Sequence, residues 1–395
     1  MTTFPTELNE QRALLDHAQE LKKLLVDFAF EEVGELIRAE VGRRASNEEA
    51  AAHEMTNTVE RLLFDDSSLQ GEPLLQTFLS RQTELEDADR ALLSSWKNAQ
   101  SGLFWLLKRE GQKLLVRDLL ADQAMTLYTS ERDPAILRPL KRGVCFLSRV
   151  VPLREVWMLS GAQQFANFPN QTVAYGFAKN IAEGLPLTFF SNPEHVRLSR
   201  QLEQKQAELF LSQQGHSWLL GTPSTLEAAY TSLVSSLLGE EEKSKASQPA
   251  LQLEKLFSAD DDTLGLIVHS EVGAKVIPRW KWLVDFGEEE TPLNDETLTL
   301  FRELAQQEPP PFLEMLAQHY PEPMNELLQV LLDAPEARWE THAEPWFREQ
   351  QPDWYSQPRV PSLMAFPTAY TEGEKALKAW KAAGRPKKFK WKKRR

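Results

Sequence analysis

The pattern that most limits the fold lies between residues 102 and 161. Five short apolar runs succeed one another there, at Gly102–Lys108, Lys113–Asp118, Met125–Tyr128, Val144–Val150 and Glu155–Gly161. Each is too short for a helix and each is bounded by turn chemistry. The clearest turn is Arg109-Glu110-Gly111-Gln112, where the glycine tolerates positive φ. Such a succession predicts a small antiparallel β module, as a sheet or a barrel. Leu137 to Gly143 reads as a loop entering the fourth strand.

The surroundings follow a helical period. Leu14, Leu21 and Phe28 stand seven residues apart, with Leu24, Leu25 and Val33 on the same broad face and Lys22, Lys23 and Asp27 opposite. Further helices are expected over 47–64 and 73–96, then over 196–213 and from Ser224 or Thr225 to Leu238. The stretch 239–250 holds no large apolar residue and reads as a linker. Beyond it, Leu264–His269 and Ala274–Pro278 form a short second β element near 263–278. Asn294 caps a helix whose first turn carries Asp295 and Glu296. Helices follow over 312–320 and 324–332, and the Pro- and Trp-rich stretch 335–371 is expected to wrap the surface with aromatic anchors. The expected class is α+β, mainly helical. Its regions are a helical part to 100, the β module over 101–162, a helical segment over 163–238, the linker, an α+β region over 251–374, and a basic tail over 375–395.

Charge is unevenly placed. The chain carries a formal net charge of −13, yet residues 375–395 contain eleven Lys or Arg and no acid. The remainder holds 34 basic residues against 58 acidic ones. An acidic body with a basic end suits a polyanionic partner such as nucleic acid or an anionic membrane surface, a solubilising end, or an end that folds back on the acidic body. A single cysteine, Cys145, excludes an intramolecular disulfide and any multi-cysteine metal centre. The first residues show no basic-then-apolar leader and no apolar run is long enough to span a membrane, so a cytoplasmic location with no transmembrane segment is the expectation.

Motifs of catalysis are absent. The sequence has no phosphate-binding glycine loop, no G-x-G-x-x-G and no G-x-S-x-G. His53-Glu54 opens like a zinc-protease helix, but Asn57 stands where the second histidine is required, so ordinary helix surface is the better reading. His269 ends an apolar strand and reads as structural. Cys145 sits in an apolar run as a small hydrophobe. Asp260-Asp261-Asp262 offers oxygen ligands, but three adjacent carboxylates do not converge in a regular element, and a solvated loop is expected. No catalytic residue, metal site or cofactor is assigned.

The tail carries the functional expectation. Lys387, Lys388, Phe389, Lys390, Trp391, Lys392, Lys393, Arg394 and Arg395 combine dense positive charge with two rings. Cations that neutralise phosphates release counterions, and aromatic rings stack on unpaired bases. The pattern suits RNA, single-stranded DNA or the ribosome surface. Lys387-Lys388-Phe389-Lys390 also resembles the basic half of the tail in SEC-C proteins, and the β module with Gly265–Gly273 resembles stretches of uncharacterised bacterial proteins of that kind. The metal-binding cysteines of the SEC-C tail are missing here, so the resemblance implies no zinc site and no activity. The leading expectation is a non-enzymatic nucleic-acid-binding protein. The alternatives are a protein-interaction or regulatory module whose acidic body engages a basic partner, and an enzyme whose site is assembled from residues distant in sequence.

Overall fold

A computed structural model describes residues 4–45, 47–65, 73–130, 139–237, 252–356 and 359–384. The chain is α+β and mainly helical. Its contacts divide it into two units, one formed by Met1–His195 with Phe366–Arg395 and the other by Val196–Ala365. Among the described residues, no helix is long and apolar enough to cross a membrane.

The first unit opens with four helices, α1 (Phe4–Arg44), α2 (Glu48–Phe64), α3 (Leu74–Arg81) and α4 (Asp87–Ser95). Asn47 caps α2 by accepting the Ala50 amide at 2.8 Å, which satisfies one of the donors left orphaned at a helix start. The helix expected over 73–96 is two helices. Arg90 stabilises the break by donating to the carbonyls of Leu79 and Gln82 at 2.7 and 2.5 Å.

The β module is a closed barrel of β1 (Gln100–Glu110), β2 (Lys113–Asp118), β3 (Gln123–Tyr128), β4 (Cys145–Leu153) and β5 (Val156–Ala166), in the order β1-β2-β3-β5-β4. All pairings are antiparallel except β3 with β5, which run parallel through Leu127↔Trp157 and Tyr128↔Met158. That one pair corrects the expectation of a purely antiparallel module. It arises because closing the ring in this order brings two strands of the same direction together. β1 pairs with β2 on one edge and β4 on the other, and an extra residue at Leu107 shifts its register between Leu106 and Lys108. A bulge of this kind bends a strand and re-aims its side chains. Phe104, Leu106, Leu114, Val116, Leu127, Phe146, Val150 and Leu159 fill the interior.

Helices cover the barrel from two directions. Leu15, Leu21, Leu25, Leu62, Phe78 and Trp96 pack with Val151, Leu153 and Met158 of β4 and β5. Here the helical wheel misleads at two positions. Leu24 is 52% exposed, whereas the Lys22 side chain is only 12% exposed and pairs with Glu60 at 2.7 Å. Ser160 of β5 donates to both Glu60 oxygens at 3.0 and 2.9 Å, and burial lowers the pKa of Lys22. The buried charge therefore joins α1, α2 and the barrel at one point.

On the other side stand α5 (Gln171–Ala182) and α6 (Pro186–Phe189), followed by α7 (Pro193–Gln214), within which the chain passes to the second unit. The last helix, α15 (Thr368–Ala382), returns to pack along α5. The two helices cross at Gly176 and Gly373, where a Cβ on Gly176 would lie 2.1 Å from the Gly373 carbonyl oxygen. Lys179 and Glu374 pair across the crossing at 2.7 Å, and Tyr370 donates to the Leu120 carbonyl at 2.9 Å. Residues 375–382 of the basic stretch are thus part of a packed helix.

The second unit holds a three-stranded antiparallel sheet of β6 (Trp218–Leu220), β7 (Gly265–His269) and β8 (Gly273–Ile277), with α8 (Pro223–Leu237) beside it. The β6 strand and α9 (Trp280–Gly287) are additions to the sequence reading. Then come α10 (Asp295–Gln307), α11 (Pro310–His319), α12 (Pro321–Leu332), α13 (Trp339–Gln350) and α14 (Pro352–Ser356). Asn294 caps α10 as expected, accepting the Thr297 amide at 2.9 Å. The stretch expected to wrap the surface with aromatic anchors forms α13 and α14 and sends Trp339, Trp346 and Phe347 into the core with Phe301. Glu203 of α7 is fully buried and accepts from the amide and hydroxyl of Ser362 at 2.6 and 2.8 Å, which fixes the segment after residue 359. The expected linker over 239–250 lies outside the described residues.

The glycine crossing makes a direct prediction. Gly176→Ala is expected to cost about 2–3 kcal/mol, because backbone cannot move aside as a side chain does. Gly184→Ala meets nothing closer than 3.5 Å and is expected to change stability by under about 1 kcal/mol. Urea unfolding of the two variants beside the parent chain checks both.

Candidate nucleic-acid interface

The strand directions give the barrel two ends of different chemistry. At one end the β1–β2 turn is held by Gln112, whose side-chain amide donates to the carbonyls of Thr129 and Ser130 at 3.1 and 3.3 Å. Gly111 supplies the positive φ of that turn. Beside it, the loop leading into β4 is fastened to β1. Gly143 donates to the Leu106 carbonyl at 2.8 Å, and the Leu106 amide donates to Val144 at 2.9 Å. These bonds set Lys141 and Arg142 next to Lys108 and Arg109, which follow the bulge. With Leu107 and Leu140 the four cations line an open groove of about 540 Å³.

All four basic side chains are exposed. Lys108 pairs with Glu110 at 2.5 Å, and this hydrogen bond, with the field of nearby Lys113, holds the Glu110 carboxyl below its ordinary range. Such an exposed pair contributes little to stability, so Lys108 exchanges partners at small cost. The groove offers phosphates a set of donors on ordered backbone. It offers bases no platform, because no aromatic ring described in the first unit is exposed.

The other end carries Asp118, Asp122 and Glu155 together with Arg117 and Arg154. Gln100, Asp118, Gln123, Thr126, Glu155 and Trp157 are among the residues lining a cavity of about 370 Å³. Asp118 follows Leu114 and Val116 at the two-residue period that points inward, and is only 1% exposed. Its Oδ1 accepts the amides of Leu120 and Ala121 at 2.8 and 3.4 Å, while Oδ2 has no hydrogen-bond partner. Burial pushes its carboxyl up to about 7, with the backbone amides opposing and Asp122 assisting. Next to it Arg117, Asp122 and Tyr175 form a hydrogen-bonded triangle that ties the β2–β3 turn to α5.

The residues singled out from sequence are dispersed. Lys387, Lys388, Phe389, Lys390, Trp391, Lys392, Lys393, Arg394 and Arg395 lie outside the described residues. The described chain reaches Gly384, just beyond α15, whose Trp380 stands 6.0 Å from Phe168 of the first unit. Cys145 is buried, and burial raises its thiol pKa far above the ordinary range. Asp261 is occupied by the amide and hydroxyl of Thr263 at 3.0 and 2.6 Å, and Asp260 by Ser258 at 2.5 Å, so the aspartate run builds a turn. His53 falls on α2. His269 borders an open groove of about 570 Å³ in the second unit with Arg200, Glu208, Ser270 and Glu271. Its Nδ1 accepts the Glu271 amide at 3.1 Å, and burial lowers its pKa. Among the described residues, the carboxylates that come close enough to share a cation are those of Asp285, Glu288 and Glu290, and Asp285 already holds Lys281 at 2.6 Å.

Residues 42–175 match a family of unknown function, DUF7986. That span takes in the entire barrel with α2 to α4 and ends inside α5. No curated protein and no solved structure matches the chain. Five strands closed through one parallel pair resemble the topology of oligonucleotide- and oligosaccharide-binding barrels, a likeness of strand order alone.

Asp118 sets a pH signature. Its folded pKa lies above the unfolded value of about 3.9, so the folded state holds the extra proton between those two values. Stability is therefore greatest below about pH 4 for this group and falls as pH rises through about 7. Asp118→Asn removes that dependence. It is expected to gain about 2–4 kcal/mol on the parent chain between about pH 4 and pH 8, read from urea midpoints across that range.

Proposed function

We propose that the chain binds nucleic acid, RNA or single-stranded DNA, through its phosphates. The observation that carries this reading is the convergence of Lys108, Arg109, Lys141 and Arg142 on one groove at the barrel end, in a chain whose net charge is −13. Four cations held together against such a background are a local field, and a local positive field concentrates polyanions. Strand order adds support by analogy only, since folds host many functions.

The rim and the tail divide the work. The rim supplies ordered donors for backbone phosphates and lacks exposed rings. The tail, Lys387 to Arg395, adds seven cations and the two rings of Phe389 and Trp391, which stack on unpaired bases. Because α15 is packed on α5, the tail is tethered to the same unit as the rim.

Fluorescence anisotropy with labelled single-stranded RNA and DNA tests this across a salt series. Each phosphate contact contributes about 0.7 to the log–log salt slope for single strands. Replacing all four rim cations by Glu is expected to reduce the slope by about 2–3, and ending the chain at Gly384 by about 3–5. Absence of binding by the full chain at low salt would refute the proposal. Binding that survives rim replacement unchanged would confine the activity to the tail.

A further inference from the structure

The end of the barrel that holds Asp118 differs in chemistry from the basic rim. A carboxylate at an inward strand position is an unusual occupant. Leu114 and Val116 fill the two preceding inward places of β2, and an apolar residue at 118 would continue their packing. The Oδ1 of Asp118 has a structural task, since it accepts the two amides of the β2–β3 turn. Its Oδ2 has none, and a buried carboxylate oxygen without a donor costs stability unless something else supplies that donor.

The surroundings define the missing donor. Gln100 comes from the start of β1, Gln123 and Thr126 from β3, Glu155 from the β4–β5 turn, and Ser191 from the segment after α6. Trp157, Met125 and Val156 supply apolar wall. No Lys, Arg or His lines the cavity. Of the cations adjacent in sequence to the two carboxylates, Arg117 is turned to Asp122 and Tyr175, and Arg154, exposed on the β4–β5 turn beside Glu155, does not line the cavity. The other titratable groups felt by Asp118 or feeling it are Asp122 on the same turn, Cys145 on β4 and Tyr370 on α15, and none of them brings positive charge.

We infer that this cavity binds a small organic cation, an ammonium or guanidinium on an aliphatic stem, with Asp118 and Glu155 as its counter-charges and Trp157 beside the stem. The volume, about 370 Å³, suits a ligand of small-molecule size. A cation with N–H donors satisfies Oδ2 and supplies the charge that the lining lacks, whereas an anion meets two carboxylates. Aromatic rings such as Trp157 also attract cations through their faces. Because the carboxyl of Asp118 sits near neutrality, a cation favours its ionised form, and binding is coupled to release of a proton. Cation binding here does not depend on nucleic-acid binding at the rim.

Agmatine, which carries an ammonium and a guanidinium on a four-carbon stem, is the probe. Isothermal titration of the full chain at about pH 7.5 is expected to show saturable binding. Asp118→Asn and Glu155→Gln are each expected to weaken it about tenfold. Affinity of the parent chain is expected to rise between about pH 6 and pH 8, and that rise is expected to vanish in Asp118→Asn. The carboxamide introduced by Asp118→Asn retains an oxygen for the Leu120 and Ala121 amides, and Glu155 is exposed, so both variants are expected to fold. Failure of agmatine to bind would overturn the inference. So would binding that both variants leave unchanged, or glucose binding as tightly as agmatine, which would make the cavity a site for neutral polyols.

Discussion

β1 bonds along both of its edges, and the first unit is built on that fact. Trp105 pairs with Arg117 on one side and with Cys145 on the other, which joins β2 to β4, and the parallel pair of β3 with β5 completes the ring. Closure removes the unpaired edges that an open sheet would expose. The bulge at Leu107 bends the strand as the ring curves. Lys108 and Arg109 follow that bulge, and the hydrogen bonds of Leu106 with Gly143 and Val144 set them beside Lys141 and Arg142. Fold and candidate interface therefore meet on one strand.

The barrel is small, and its interior of Phe104, Phe146, Leu114, Val116 and Leu127 leaves little apolar area for the rest of the unit. Stability comes from outside as well. Helices α1 to α4 bury Val151, Leu153 and Met158, and Lys22, Glu60 and Ser160 form a buried polar contact inside that interface. Such a contact adds little net stability over an apolar one, but breaking one partner of it is costly. Gly161, at φ 73°, admits Glu60 closely, since a Cβ there would lie 2.9 Å from its Cγ.

Much of this is legible in residues. Five strands announce themselves because Gly111, Gly143 and neighbouring polar residues punctuate apolar runs. β5 runs on to Ala166 because Gly161, which resembles a terminator, marks an irregularity inside the strand, where the pairing steps from Arg149↔Ser160 to Leu147↔Gln164. The parallel closure of β3 on β5 leaves no local mark, since it depends on which strands meet last. Lys22 escapes a periodic reading because periodicity assigns a lysine to solvent, and only the approach of Glu60 makes burial tolerable. Trp339 and Trp346 are legible as anchors, but the helix that carries them, α13, contains Pro345 and so hides its period. The tail is visible in composition alone. The rim is not, since 108–109 and 141–142 become neighbours only through the hydrogen bonds of Gly143 and Leu106. Asp118 is hidden inside a run that reads as an ordinary strand end.

The return of α15 to α5 has a consequence for how the chain is made. Lys179 and Glu374 are 195 residues apart in sequence, yet they pair across the closest helix contact of the first unit. The second unit is thus an insertion, leaving the first at residue 196 and rejoining it at 366. During synthesis the barrel and its N-terminal helices emerge early, but one flank stays uncovered until the last helix has left the ribosome. At about 5–20 residues per second, that interval lasts roughly ten to forty seconds. For that time Tyr175, Phe189 and the small-residue face of α5 stand open to water, and the nascent chain carries an apolar surface that its own final segment is required to close.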